Sequence, residues 1–221
     1  ESSDSIETGR LEHVTRSQVL EVFGGDIGRN IFFVPLAVRQ KQLEAAPWIK
    51  SAMVMRFLPN RLRVEVKERT PMAFVQIGST TGLIDESGVV MPMPIATGPG
   101  TIKDDFSFPV ITGLHSAEPL SVRAASMKIF ARLEQELNAN GAAYMNDVSE
   151  VDLSDPQDVR IVVGDNDGTV LVHLGSRDFE RRYRFYLEHI KSWRQQYHVR
   201  SIDLRYDGQV IVNREGQVTG K

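Results

Sequence analysis

Pro59-Asn60-Arg61-Leu62-Arg63-Val64-Glu65-Val66-Lys67-Glu68-Arg69-Thr70-Pro71 is the stretch on which the reading of the chain turns. Leu62, Val64 and Val66 alternate with Arg61, Arg63, Glu65 and Lys67, the period of a strand with one face buried and one face wet. Leu58-Pro59-Asn60 joins it to a preceding strand over residues 51–57. Glu68-Arg69-Thr70-Pro71 ends the pattern, because proline neither continues a ladder nor tolerates a helical residue before it. A domain boundary is therefore expected at residues 70 and 71.

Toward the N-terminus, Val14-Thr15-Arg16-Ser17-Gln18-Val19 announces a helix. Thr15 as N-cap with Gln18 at the third helical position reads as a capping box, and Val14 with Val19 as a hydrophobic staple. Val19, Leu20 and Phe23 are the expected buried face, and Gly24-Gly25 the stop. A second helix is expected from Pro35 to Ala46, with Leu36 and Leu43 on one face and Pro47 as terminator. A short strand near Ser5 to Thr8 completes an α+β unit, with two helices on one face of a three-stranded sheet.

Beyond Pro71, strand-like pieces at Met72 to Ile77, Gly82 to Asp85 and Val89 to Met91 are separated by turn-formers. Residues 92–105 read as a loop. Val122, Ala125, Ile129, Leu133 and Leu137 recur at helical spacing. Strands are expected at Glu150 to Leu153, Val159 to Val163 and Thr169 to Leu174, the last two joined by Gly164-Asp165-Asn166-Asp167-Gly168. The longest helix, Asp178 to Tyr197, carries Phe179, Tyr183, Leu187, Ile190, Trp193 and Tyr197 along one stripe. Ser201 to Tyr206, Asp207-Gly208 and Gln209 to Asn213 read as a short-loop hairpin.

A length of 221 residues with 41% hydrophobic and 25% charged residues suits one or two globular cores. The formal net charge of −3 provides no global field for nucleic acid or an anionic membrane. No apolar run approaches the roughly 20 residues that span a bilayer. With no cysteine, disulfides, thiolate metal sites and cysteine nucleophiles are excluded. His13, His115, His173, His189 and His198 form no H-x-H or H-E-x-x-H pair, so no metal site is expected. Asp165-Asn166-Asp167-Gly168 lacks the glycine and closing glutamate of a calcium loop and reads as a turn. No G-x-S-x-G, S-x-x-K, Walker or G-x-G-x-x-G sequence occurs, so neither catalytic nor cofactor-binding residues are assigned. Glycosidase-like carboxylate pairs can be distant in sequence, which leaves a cell-wall enzyme as a contrasting possibility. Two basic stretches, Arg56 to Arg69 and Arg181 to Arg194, suit either a solvated face or docking of an acidic segment or anionic headgroups.

In order along the chain stand Thr8-Gly9, Val14-Thr15, Arg29-Asn30-Ile31-Phe32, Pro47-Trp48-Ile49, Pro59 to Val64 and Glu68 to Ala73. Leu83-Ile84-Asp85-Glu86-Ser87-Gly88, Phe108-Pro109-Val110-Ile111, Leu174-Gly175 and Ile202-Asp203-Leu204-Arg205-Tyr206 follow. Together they resemble the extracytoplasmic part of the FtsQ/DivIB family of bacterial cell-division proteins. Polypeptide-transport-associated (POTRA) domains of outer-membrane assembly factors resemble only the first unit, and an assembly or chaperone module is the alternative reading.

The resemblance implies a POTRA domain over residues 1–70, a mainly antiparallel β domain with two helices over 71–213, and a tail over 214–221. It implies a non-catalytic divisome scaffold, held in the inner membrane by a segment absent from this chain, with this region in the periplasm at the division site. It further implies FtsB- and FtsL-like bitopic partners, other division proteins bound through the POTRA domain, and no cofactor or nucleic acid. The family's partner-binding region, carried over to this sequence, assigns contact roles to Arg205, Tyr206, Gly208, Gln209, Val210 and Val212. Many relatives carry tryptophan near Val159 and near Asn213, where this chain has none.

Overall fold

The computed structural model describes residues 6–94, 106–165, 168–196 and 198–214. Asn166 and Asp167 of the expected turn, Tyr197 of the expected stripe, residues 95–105 of the expected loop and residues 215–221 of the expected tail lie outside them. The chain divides into two compact units at Thr70 and Pro71.

In the first unit, strands β1 (Ile6–Thr8), β2 (Ile49–Phe57) and β3 (Arg61–Glu68) form a sheet in the order β1-β3-β2. β3 pairs antiparallel with β2 and parallel with β1. Ala52, Val54, Leu62 and Val64 are buried on one face, joined in the core by Val19 and Phe23 near helix α1 (Arg16–Val22) and by Leu43 of α2 (Leu36–Glu44). Leu20 is only half-buried. The capping box forms as expected: the Gln18 amide donates to Thr15 Oγ1 at 3.2 Å, and Gln18 Oε1 accepts from the Thr15 amide at 2.8 Å.

Glu68, at the end of β3, holds the segment that leads into α1. Its carboxylate accepts the backbone N–H groups of Glu12 (2.9 Å), His13 (2.8 Å) and Val14 (3.2 Å), and lies 3.0 Å from His13 Nδ1. The His13 ring stacks on Trp48, with centroids 4.3 Å apart. Burial by itself would raise the Glu68 pKa, but these donors outweigh it and hold the group below its ordinary value.

The second unit is a nine-stranded sheet in the order β12-β11-β10-β9-β8-β7-β4-β5-β6. Its strands are β4 (Pro71–Ile77), β5 (Thr80–Asp85), β6 (Val90–Met91), β7 (Val110–Thr112), β8 (Val148–Asp152), β9 (Val159–Asp165), β10 (Gly168–Gly175), β11 (Val199–Asp203) and β12 (Ile211–Arg214). The β4–β7, β7–β8 and β10–β11 pairs are parallel and the others antiparallel. One register line crosses seven of these strands: Val75, Ile111, Val151, Ile161, Val172, Ile202 and Val212. All but Val212 are fully buried, and they share a core with Met127, Phe130 and Leu133 of α3 (Leu120–Leu137) and Tyr183, Tyr186 and Ile190 of α4 (Phe179–Gln196).

In each helix the face read from spacing is buried in part, with Leu133 and Leu137 of α3 and Phe179, Tyr183 and Ile190 of α4 in the core, while the rest of the face is turned. In α3 the buried residues are Ser126, Met127, Phe130, Leu133 and Leu137, while Val122 and Ala125 face solvent. Met127 and Phe130 carry more apolar surface than the valine and alanine they displace, so the larger gain on burial decides the rotation. In α4, Tyr186 and Arg182 are buried, and Leu187 and Trp193 only partly so.

Glu68→Gln keeps the shape of the clamp but removes its charge, and is expected to destabilise the first unit by about 1–3 kcal/mol near neutral pH. Because the folded-state pKa is depressed, this contribution is present above the ordinary value of 4.5 and lost as pH falls through the lower folded value. Chemical denaturation of wild type and variant should therefore show a stability difference that closes below that pH.

Candidate functional site

The C-terminal edge of the sheet gathers the residues singled out by resemblance, but not as a tight hairpin. β11 ends at Asp203 and β12 begins at Ile211, with Asp203 opposite Ile211, so residues 204–210 form a longer loop. Gln209 and Val210 thus lie in the loop rather than in the strand. The physical reason lies at the loop's base. The Leu204 amide still follows β10, donating to the His173 carbonyl at 3.0 Å, and Arg205 is then bound on both sides.

From the helix-covered face comes Arg182 of α4, 6% exposed. It donates through Nη1 to the Leu174 carbonyl in a short hydrogen bond and through Nη2 to the Arg205 carbonyl at 3.1 Å. The Arg205 side chain is engaged with Asp203: Nε lies 3.0 and 3.1 Å from the two carboxylate oxygens, and Nη2 lies 2.6 Å from Oδ2. Burial would raise the Asp203 pKa, but the guanidinium and the Arg205 amide hold it below the ordinary carboxylate value, while the hydrogen bond to Asp203 raises that of Arg205. At the tip, Asp207 Oδ1 accepts from Arg181 of α4 at 2.9 Å, which lowers its pKa.

Between these fixed points the loop presents its contact groups outward. Tyr206 is 53% exposed, Gly208 takes φ +77°, and the Gln209 amide closes a turn on the Tyr206 carbonyl at 3.3 Å. Tyr206 and Val210, with Leu204, face Arg181 and Phe185 of α4 across a groove of about 330 Å³. Phe185 was not read from the sequence as a site residue. Its signal was present, since it is an aromatic residue off the stripe assigned to the core. It stacks on His189 at 4.1 Å, and His189 stacks on Trp193 at 5.5 Å, so the aromatic surface continues along α4.

β12 is four residues long and, among the described residues, pairs with β11 on one side only. Val212 lies on the register line of the core and is half-buried, whereas Ile211 and Asn213 alternate to the other face. An added strand would gain roughly two to four backbone hydrogen bonds, each worth about 0.5–1.5 kcal/mol. Their sum, about 1–6 kcal/mol, reaches only the low end of an association cost on the order of 4–15 kcal/mol, so side chains at the groove must supply the surplus.

Among the described residues no helix is long and apolar enough to cross a membrane. Residues 6–69 match the family model of the FtsQ-type POTRA domain, and residues 73–205 that of the FtsQ/DivIB C-terminal region. The cell division protein FtsQ of Koribacter versatilis is 56% identical over 214 residues, which cover 96% of this chain and 60% of that protein. FtsQ of Nitrosospira multiformis is 28% identical over 207 residues, 90% of this chain and 75% of its own length. The major extracytoplasmic domain of DivIB from Geobacillus stearothermophilus is 18% identical, with a TM-score of 0.32, over 58% of this chain and 97% of that domain. A POTRA unit followed by a C-terminal unit of this type defines a two-unit cell-division protein. The chain belongs to the FtsQ/DivIB family.

Gly175 sits where the clamp closes. Its φ is +72°, and a Cβ there would stand 2.5 Å from Arg182 Nη1 and 3.3 Å from Arg205 Cγ. Gly175→Ala is therefore expected to cost about 1–3 kcal/mol in backbone strain alone. A lowered urea midpoint should register it, and an unchanged midpoint would contradict the close packing described.

Proposed function

We propose that this chain is the extracytoplasmic part of a non-catalytic divisome scaffold that captures FtsB- and FtsL-type bitopic proteins by strand addition to β12. The observation that carries the proposal is the coincidence, in one place, of a one-sided strand, an exposed Tyr206 and a groove walled by Phe185. Main-chain pairing gives such a site affinity without sequence preference, and the pocket beside it gives preference for an apolar anchor. Tyr206 and Phe185 are aromatic and adjoin a half-buried strand, which is the setting of interface hot spots.

The roles carried over by resemblance sort accordingly. Tyr206 and Val210 wall the groove, Gly208 and Gln209 shape the turn, and Val212 offers the next position of the core row. On this reading the intact protein lies in the inner membrane, with these units in the periplasm at the division site, where it helps recruit and regulate septal peptidoglycan synthesis. Anchoring both partners in one membrane raises their effective concentration, so a modest contact suffices.

Tyr206→Ala and Phe185→Ala are each expected to weaken binding of a purified FtsB-type periplasmic segment at least tenfold, measured by calorimetry. Neither should move the thermal unfolding midpoint by more than a few degrees, because both side chains are substantially exposed. Undiminished binding by both variants would refute capture at this edge.

A further inference from the structure

The face of the sheet opposite the core row carries a second register line: Thr112, Asp152, Arg160, His173, Asp203 and Ile211. It is polar until it reaches β12. Asp158, in the connection between β8 and β9, bridges this line to the loop. The residue is 6% exposed, and its amide closes a turn on the Asp155 carbonyl at 3.0 Å. Its Oδ2 lies 2.8 Å from His173 Nδ1, 3.4 Å from Arg205 Nη1 and 4.0 Å from Arg160 Nε. Its Oδ1 has no hydrogen-bond partner among the described residues.

A carboxylate so deeply buried persists only when cations compensate it, and breaking such a pair exposes the full cost of the remaining charge. Arg205 is the cation that couples this compensation to the loop. One edge of its guanidinium is taken by Asp203 and the remaining nitrogen faces Asp158. Its backbone carbonyl is meanwhile held by Arg182. Tyr206 follows directly, and the Arg205 guanidinium lies 5.6 Å from the centre of its ring.

We infer that Arg205 acts with Asp158 as a positioning pair, fixing the base of the 204–210 loop so that Tyr206 stands over the groove. This rests on the reading of the C-terminal edge as the partner site. It goes beyond that reading in giving Arg205 a supporting role, and it adds Asp158, far away in sequence, to the residues on which binding depends.

The test uses the whole chain with Asp158→Asn, which is nearly isosteric, and Arg205→Lys, which keeps the charge but loses the fork. Amide hydrogen exchange is followed in the free chain, and association with an FtsB-type periplasmic segment is measured kinetically. If the loop is competent only a tenth of the time once the pair is broken, the apparent Kd rises tenfold. The expected result in both variants is exchange at residues 204–210 about tenfold faster, with the strand amides of β8 to β10 unchanged, and a matching tenfold loss of affinity through slower association. A loss of affinity with loop exchange unchanged would mean that Arg205 acts only by touching the partner, and would overturn the proposal. So would faster loop exchange with affinity unchanged. Tyr206→Ala separates the two layers: undiminished affinity in that variant overturns the partner site and the positioning role together, whereas undiminished affinity in Asp158→Asn alone overturns only the positioning role. Should Asp158→Asn melt the whole unit, Arg205→Lys carries the same comparison.

Discussion

The apolar register line from Val75 to Val212 is the constraint on which the second unit depends. Six of its seven members are sealed from water, each contributed by a different strand, and the two long helices lie over it on faces turned only in part from those their own spacing suggests. Hairpins build only part of this line, through the antiparallel β8–β9, β9–β10 and β11–β12 pairs. Val75 and Ile111, then Ile111 and Val151, meet through parallel pairings that require the chain to leave the sheet and return. The order of strands is thus set by which valines and isoleucines can stand side by side, and the loop to β12 is long because residues 204–210 also serve the clamp and the groove.

The opposite face follows a different rule. There the cross-strand neighbours are Asp152, Arg160, His173 and Asp203, whose polar groups meet at the sheet surface. The same alternation that makes one side of each strand apolar makes the other side a row of ion pairs. The loop at the C-terminal edge is pinned between the two regimes, by a buried arginine from the helix side and by carboxylates from the other. In the first unit, Glu68 does a comparable task with backbone donors, tying the last residue of a strand to the start of a helix.

What was legible in the sequence was local or periodic. Thr15 and Gln18 announce their capping box, and Leu62, Val64 and Val66 their strand, because the partners lie within a few residues or repeat at fixed spacing. β7, with only Val110, Ile111 and Thr112, is too short to show a period, and its place between β4 and β8 is a tertiary fact. Arg182 reads as part of a charged helix surface, since nothing near it in sequence reveals the carbonyls of Leu174 and Arg205 that satisfy it. Asp207-Gly208 reads as a two-residue turn, because turn chemistry says where a chain reverses and not how far it travels before pairing again. The family's contact region fell on the edge that remains one-sided, but Phe185 and Arg181 approach it from a helix whose relation to the loop no spacing encodes.

The sheet's two ends differ. At the β6 end, strand pairing stops after two residues, and Gly82 lies beneath the Met91 carbonyl so closely that no side chain fits between them. At the β12 end, the core row stops at a valine that water still touches. Such a sheet has a direction in which it can lengthen. Because pleating assigns faces by odd and even position, a strand laid against β12 has the sidedness of its residues decided before it arrives. A candidate segment is therefore sorted by parity: one frame lays its apolar residues beside Val212 and its polar ones beside Ile211 and Asn213, and the frame one residue away reverses both.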